Sequence, residues 1–526
     1  MTAKTDLQVL LRRARMAATP GCVVAFRQCA SSRVWAALCW PQSLGALSPD
    51  ENVKPRCCIL GIASAKQFRI EGTAVLRHLF AMAVTLCFPS NVLWGQDLAP
   101  LPDYVIAEFG APPTIPEGPL VATVNEALDE VLAIAVNQSD WSPANTKAFD
   151  TLARTHDPRL VWIITDMQRF AWRPEFRAAL TRVAATILDT AFSSGRLRQQ
   201  IINKMIAWDM PAYPGYLAHK RSVFTNYVPG WDEIFVEGDI AWQLVDWGGV
   251  NIDARPYDTT DNVCHCIPAV DNPEVSTAKE ATWLADDEII FGIVVNGQAR
   301  AYPRRIMEVR EMVNDTLGGR DLGIPYCTLC GAAQAFFTDR LPAGVKRPIL
   351  RTSGLLIRSN KVMYDIETHS VFDTFLGKAV TGPLADIGLQ LEQATVITSD
   401  WGSWRLAYPN TTVMVEALAL GRDFNLRETR DANGPIFPIG DVDPRLPVHE
   451  DIIGTITDNG TPVAFPRAAA VAALVAGQEV SFEDVRLELS AGGVRATKSK
   501  GEELMSHEAF WFAWSQFYSE TVLWAE

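Results

Sequence analysis

From about residue 118 to 235 the apolar positions recur at helical spacing. NEALDEVLAIAV (125–136) places its apolar residues on one face, and Asn125 stands where a helix cap belongs. NTKAFDTLARTH follows, then DPRLVWIITDMQRF with Pro158 at an early helical position, then EFRAALTRVAATILDTAF and RLRQQIINKMIAWDM. Paired helices with Asp-Pro at a turn resemble a helical-repeat scaffold; a plain helical bundle is the alternative. Near Trp247-Gly248-Gly249 the texture changes. Strand-like runs such as IIFGIVV, QAFF and TTVMV are now separated by turn signals, among them Asn296-Gly297, Gly318-Gly319 and Asn459-Gly460. Helices and strands are thus segregated rather than alternating, which argues against parallel α/β winding. The expected class is α+β: a helical N-terminal scaffold, helical-repeat-like in its pairing, followed by a duplicated β-rich domain.

The duplication is read from an internal match. EIIFGIVVNGQARAYPR (288–304) and DIIGTITDNGTPVAFPR (451–467) share an apolar strand, an Asn-Gly hairpin, a second strand and an aromatic-Pro-Arg ending. WGSWRLAYPNTTVMV (401–415) echoes FWFAWSQFYSETVLW (510–524). The expected divisions are an N-terminal extension at 1–74, a signal-like segment at 75–95, a helical domain at 96–235, and β-rich units at 236–425 and 426–526. The first unit holds a stretch that the second lacks, from Asn314-Asp315 through two cysteines to Met363-Tyr364-Asp365. Scaffold occurring twice and this stretch once marks the stretch as the functional insert.

Residues 75–95 change the picture of where the chain works. Arg77-His78 leads into the apolar run LFAMAVTLCFPSNVLWG and then Gln96-Asp97, the order of an export signal. Pro89, Ser90 and Asn91 interrupt the run too early for comfortable bilayer crossing. The expectation is translation from near Val75 and an exported, periplasmic or extracellular protein. If the segment is not cleaved the protein is membrane-anchored or peripheral; a buried helix is the third reading. The formal net charge of −14 and pI of about 5.1 exclude a nucleic-acid partner, because phosphate binding needs a basic surface. The sixteen tryptophans serve as core and corner residues or as stacking platforms.

Beyond residue 95 four of the ten cysteines remain: Cys264, Cys266, Cys327 and Cys330. In an oxidising compartment an even number suggests disulfides, and the same four suit a metal. Cys327 and Cys330 form a C-x-x-C between strands, spaced for a redox disulfide, for two thiolate ligands, or for a structural bridge. A thioether from Met363 beside thiolates favours copper over zinc, and Asp365 is the nearby carboxylate for acid–base work. Arg310-Glu311 reads by default as a solvated helix face, Asn314-Asp315 as a turn cap, and His369 as a surface turn residue. G-x-S-x-G, phosphate-binding glycine loops and H-E-x-x-H do not occur, which disfavours the familiar hydrolases and nucleotide enzymes.

The series IPAVDNP, GIVVNGQARAYP, EMVNDTLGG, PYCTLCGAAQAF, SGLL, VMYDIETHS, LGKAVTGPL and WGSWRLAYPNTTV resembles the domain of unknown function 3179 family (DUF 3179), closely over 265–415 and more loosely over 437–524. The resemblance implies a mostly bacterial or archaeal protein, often exported, of no established activity. Tyr302-Pro303, Asn314-Asp315, Tyr326, Cys327, Cys330, Gly331, Ser353-Gly354, Met363-Tyr364-Asp365 and Trp404 fall on the family pattern. Arg310 stands where the family usually has His, and Ser370-Val371-Phe372 where it usually has Ser-Leu-Trp.

Three functions are consistent with these residues. The first is metal binding (copper or zinc on Cys327, Cys330 and Met363) or thiol redox work at Cys327 and Cys330. The second is a non-catalytic protein- or glycan-binding module with the cysteines as a staple. The third is a small-molecule enzyme in which Tyr326, Asn314 and Asp365 do acid–base work.

Overall fold

The computed structural model describes residues 22–28, 35–41, 100–192, 195–259, 264–416 and 434–525. The chain divides into two compact units, Met1–Leu98 and Ala99–Glu526. In the first, strands Cys22–Gln28 and Trp35–Pro41 pair antiparallel. The signal-like segment 75–95 lies outside the described residues, as does most of 1–74.

The second unit begins with helices, each burying an apolar face. In helix Ala122–Val136 the buried positions are Val124, Ala127, Leu128, Val131, Leu132, Ile134 and Ala135, most of them on the i, i+3, i+4 stripe of an amphipathic helix. Asn125 sits within the first turn and donates from Nδ2 to the Leu120 carbonyl (3.1 Å), so it ties the turn down without being the cap residue. Pro174 opens helix Pro174–Ile187, where a missing N–H is harmless.

Strands follow in five small sheets, which make a five-bladed β-propeller. This corrects the expected fold class in two ways. The β-rich part is not two units but five sheets, whose strands interleave along the chain. Nor are helices confined to an N-terminal scaffold: of twelve described α-helices, Arg304–Arg310, Gly382–Asp386, Trp401–Ala407, Arg467–Val475 and Trp511–Phe517 lie among the strands. The physical reason is shared burial. Helical residues such as Leu160, Ile201 and Phe224 fall in one apolar cluster with the sheet residues Leu355, Val362, Tyr364 and Val371, and with Val380 just past its strand. Buried polar contacts join the same layers: Lys220 Nζ meets Asp166 Oδ1 (2.8 Å) and the Val245 carbonyl (2.7 Å), and Trp231 Nε1 donates to the Ser353 carbonyl (2.8 Å). Periodicity reports each element's face, but not which partner covers it.

Two sheets share one arrangement. One runs Ile397–Asp400, Ile289–Val295, Gln298–Pro303, Thr412–Met414, then Val275–Thr277; the other runs Ser506–Phe510, Asp451–Ile456, Pro462–Pro466, Val522–Leu523. In both, the strand after the hairpin's second arm pairs with it in parallel. Gly292 lies under the Trp404 ring and Gly454 under the Trp514 ring, each where a Cβ would meet ring carbons at 2.2 and 2.1 Å.

The sheet that carries the cysteine loop runs Glu392–Ala394, Ala335–Phe337, Arg320–Cys327, Met312–Leu317, Val270–Asp271. Asn314 stitches it to the neighbouring sheet, accepting from Leu350 N (3.0 Å) and donating to the Leu350 carbonyl (3.0 Å). Among the described residues no helix is long and apolar enough to cross a membrane.

Candidate functional site: the cysteine loop

Strand Arg320–Cys327 ends at the first cysteine, and Ala332 pairs back against Cys327. The chain therefore makes a tight loop within one strand pair, and Cys330 N donates to the Cys327 carbonyl (3.2 Å). Gly331 supplies the left-handed turn (φ 64°), with the Phe510 ring so close that a Cβ would meet it at 3.1 Å. Phe510 N anchors the loop from the next strand by donating to the Cys330 carbonyl (2.8 Å). Cys327 and Cys330 are joined in a disulfide. Cys327 is 6% exposed and Cys330 1%, so the first cysteine is the less buried residue of the two.

Beneath the loop lies a buried ion pair. Thr328 Oγ1 donates to Glu311 Oε1 (3.1 Å), Lys361 Nζ meets Glu311 Oε2 (2.6 Å), and Lys361 Nζ also donates to the Glu311 carbonyl (2.8 Å). Tyr326 N donates to that same carbonyl (3.0 Å). Glu311 reaches this position from a left-handed backbone (φ 53°) just past helix Arg304–Arg310. Burial pulls the Lys361 ammonium pKa down, and Glu311 opposes the shift. Arg310 is equally buried and pairs with Glu416 (2.5 Å). The solvated face expected of Arg310-Glu311 is thus an interior one, because the helix ends against the strand that leads into the cysteine loop.

The other candidates are spread more widely. Met363 packs with Phe336, Leu350 and Phe372, an apolar cluster separate from the one holding the two sulfurs. Asp365 accepts from Ile349 N (2.7 Å), Thr368 N (2.9 Å) and Thr368 Oγ1 (2.8 Å), organising the turn after its strand. Asn314 and Asp315 are strand residues rather than turn caps, and Asp315 holds Arg300 and the Tyr302 hydroxyl (2.6 Å). His369 pairs with Glu233 (2.8 Å) at the surface. The structure therefore brings Cys327 and Cys330 together, and places Met363 and Asp365 in neighbouring but separate packing.

Cys264 and Cys266 form a second disulfide, and Asp253 brings a carboxylate oxygen within 4.8 Å of their sulfurs, which could serve as metal ligands only with the bridge reduced. That carboxylate also receives Arg255 Nε (2.6 Å) and Ala269 N (2.8 Å), with Arg351 at 3.6 Å. Two guanidinium groups beside it work against a cation.

Residues 264–503 match a family model described as protein of unknown function (DUF3179). This stretch is a DUF3179 region. Neither the curated proteins nor the solved structures give a match. Both disulfides and Lys361 fall inside the DUF3179 region, while Asp253 precedes it.

Two buried groups near the loop escaped sequence reading. Lys361 is the lone cation in the strand NKVMYD, every residue of which is buried; with half the strand polar, the sequence carried no signal that the lysine lies inside. His507 lies in the strand that also carries Phe510, against Phe375 (5.5 Å) and Trp514 (5.4 Å), both members of the cysteine cluster. Gln393 Nε2 lies 3.0 Å from His507 Nδ1. Burial pushes the His507 pKa down to about 3, so the ring is neutral.

Proposed function

We propose that the Cys327–Cys330 loop is a thiol–disulfide exchange centre in an exported protein. The bridge itself carries this reading: two cysteines three residues apart are joined, and a third group on their loop, Thr328, is held by a buried ion pair. A resolving thiol so near in sequence completes exchange without a second enzyme. Cys327, the less buried, meets the partner's sulfur, and Cys330 resolves the mixed disulfide. Export is supported by the apolar segment 75–95 and by the two disulfides, which persist in oxidising compartments.

The test is the reduction potential of the loop in the full-length protein, equilibrated in glutathione buffers and read by mass spectrometry of the alkylated peptide. A value between roughly −120 and −270 mV places it among exchange-active pairs. A value below about −300 mV would make it a structural staple. The metal-binding form of the reading needs the bridge open, with copper or zinc on Cys327, Cys330 and Met363. Stoichiometric metal on anaerobically reduced protein, lost in Cys327→Ser and Cys330→Ser, supports that form instead.

A binding module is the second reading, favoured by an open groove of about 370 Å3 lined by Phe109, Asn203, Ile439, Val442, Leu446 and Val448. Its volume falls in the range of small-ligand sites. An unaltered partner profile after Leu446→Glu would count against it.

A further inference from the structure

The hairpin that joins Leu350–Ile357 to Asn360–Asp365 turns through Arg358 and Ser359, with Ile357 paired to Asn360. Both turn residues sit at positive φ (45° and 66°), as a two-residue turn of this hand demands. Elsewhere in the chain Asn296-Gly297 and Gly318-Gly319 fill turns of the same length. An arginine and a serine suit that backbone poorly, so a compensation is to be sought in their side chains. Both line one cavity, and Gln243 lines it too. None of these three side chains has a hydrogen-bond or ion-pair partner among the described residues, although Ser359 is only 3% exposed. The carboxylates in the same wall are already taken. Asp166 is held by Lys220 and the Tyr216 hydroxyl. Asp246 is held by both terminal nitrogens of Arg198 (2.8 Å each) and by Trp247 N (2.7 Å), with Arg169 at 4.0 Å. Asp441 and Asp209 act on Arg358 only from beyond ion-pair reach.

We propose that this cavity is a site for a monatomic anion of chloride's size, held by Arg358 with Ser359 and Gln243 completing its shell. The wall offers a guanidinium, an amide and a hydroxyl as donors, and no carboxylate free to repel the ion. Size sets the class of ligand. The cavity is about 10 Å3, room on the order of one water-sized centre, which is too little for phosphate, sulfate or an organic acid. An anion there gives the Arg358 charge the close partner that neither Asp441 nor Asp209 supplies. It also accounts for the turn: Arg358 and Ser359 hold a strained backbone because their side chains are needed at the cavity, where Asn-Gly would leave it unlined. The site does not depend on the exchange reading.

The experiment is urea unfolding of the full-length chain in sodium chloride and in sodium gluconate at equal ionic strength, with the nuclear-resonance line width of chloride read on the same samples. An ion that binds only the folded chain raises the unfolding midpoint as its concentration passes Kd. The natural chain should therefore unfold later in chloride than in gluconate, and should broaden the chloride line. The double variant Arg358→Asn with Ser359→Gly installs residues that favour the turn. It should unfold no earlier than the natural chain in gluconate, yet lose both the chloride-specific shift and the broadening. Arg358→Met, which keeps Ser359 in the turn, should lose both as well. A natural chain that is equally stable in the two salts and leaves the chloride line sharp holds water alone at this site, and the proposal falls. Variants that keep the chloride-specific shift place the anion elsewhere and overturn it equally.

Discussion

Single buried charges in this protein have named partners, and that makes their removal measurable. Lys220 is fully buried between Asp166, the Tyr216 hydroxyl (3.2 Å) and the Val245 carbonyl. Lys220→Met leaves Asp166 buried without its cation and should cost about 3–5 kcal/mol in urea unfolding. Two other groups give opposite pH slopes. His507 is held neutral with its pKa down at about 3 by burial, so the unfolded chain binds its proton first. Its contribution to stability is complete above about pH 6.5 and is lost as pH falls toward 3; His507→Gln should flatten that part of the profile. Burial pushes the Asp373 pKa up to about 6. Its contribution is present below about pH 4 and is lost as pH rises through 6, so Asp373→Asn should gain relative to the natural chain across that window. None of these burials was legible in the sequence. A lysine or histidine code letter carries no record of the strands that cover it, which arrive from more than a hundred residues away in the case of Gln393 and His507.

At the level of elements, the hairpins were the readable part. Asn296-Gly297 does join Ile289–Val295 to Gln298–Pro303, with both turn residues at positive φ as a tight two-residue turn demands. What lies over such a hairpin was less readable, because it depends on a helix that returns later in the chain. Trp514 covers Gly454 from helix Trp511–Phe517, with its ring nitrogen donating to Thr521 Oγ1 (2.8 Å). Gly454→Ala drives a methyl into a fully buried indole and should destabilise by about 1–3 kcal/mol or more, read by urea unfolding. Gly292→Ala should behave alike under Trp404, whose ring nitrogen meets Thr411 (3.0 Å). We read the two sheets as one supersecondary unit used twice; equal penalties at the two glycines support that reading. The cysteine loop was found from its spacing and from occurring once. Its supporting pair was not, because Glu311, just past a seven-residue helix, looks like any surface carboxylate.

For the molecule as a whole, segregation of helices and strands along the chain suggested separable parts, and shared burial joins them. A chain beginning at residue 236 would lack Trp231, Phe224 and Ile201 against Leu355, Val362 and Tyr364. Such a truncation should yield no cooperative unfolding transition, whereas residues 99–526 alone should give one, measured by circular dichroism in urea. The charge of −14 and the apolar stretch at 75–95 were legible because they need no partner to be read.

The joint core of helices and sheet also sets a timetable for synthesis. The last helix of the N-terminal series ends at Tyr227, but its apolar cluster is completed only by residues as late as Val380. At about 5–20 residues per second, the intervening stretch takes roughly 8 to 30 s to emerge. Throughout that interval the helices cover one another only in part, and the surfaces that meet Leu355, Val362 and Tyr364 stay open. The newborn chain therefore carries exposed apolar surface until after both cysteine pairs have emerged.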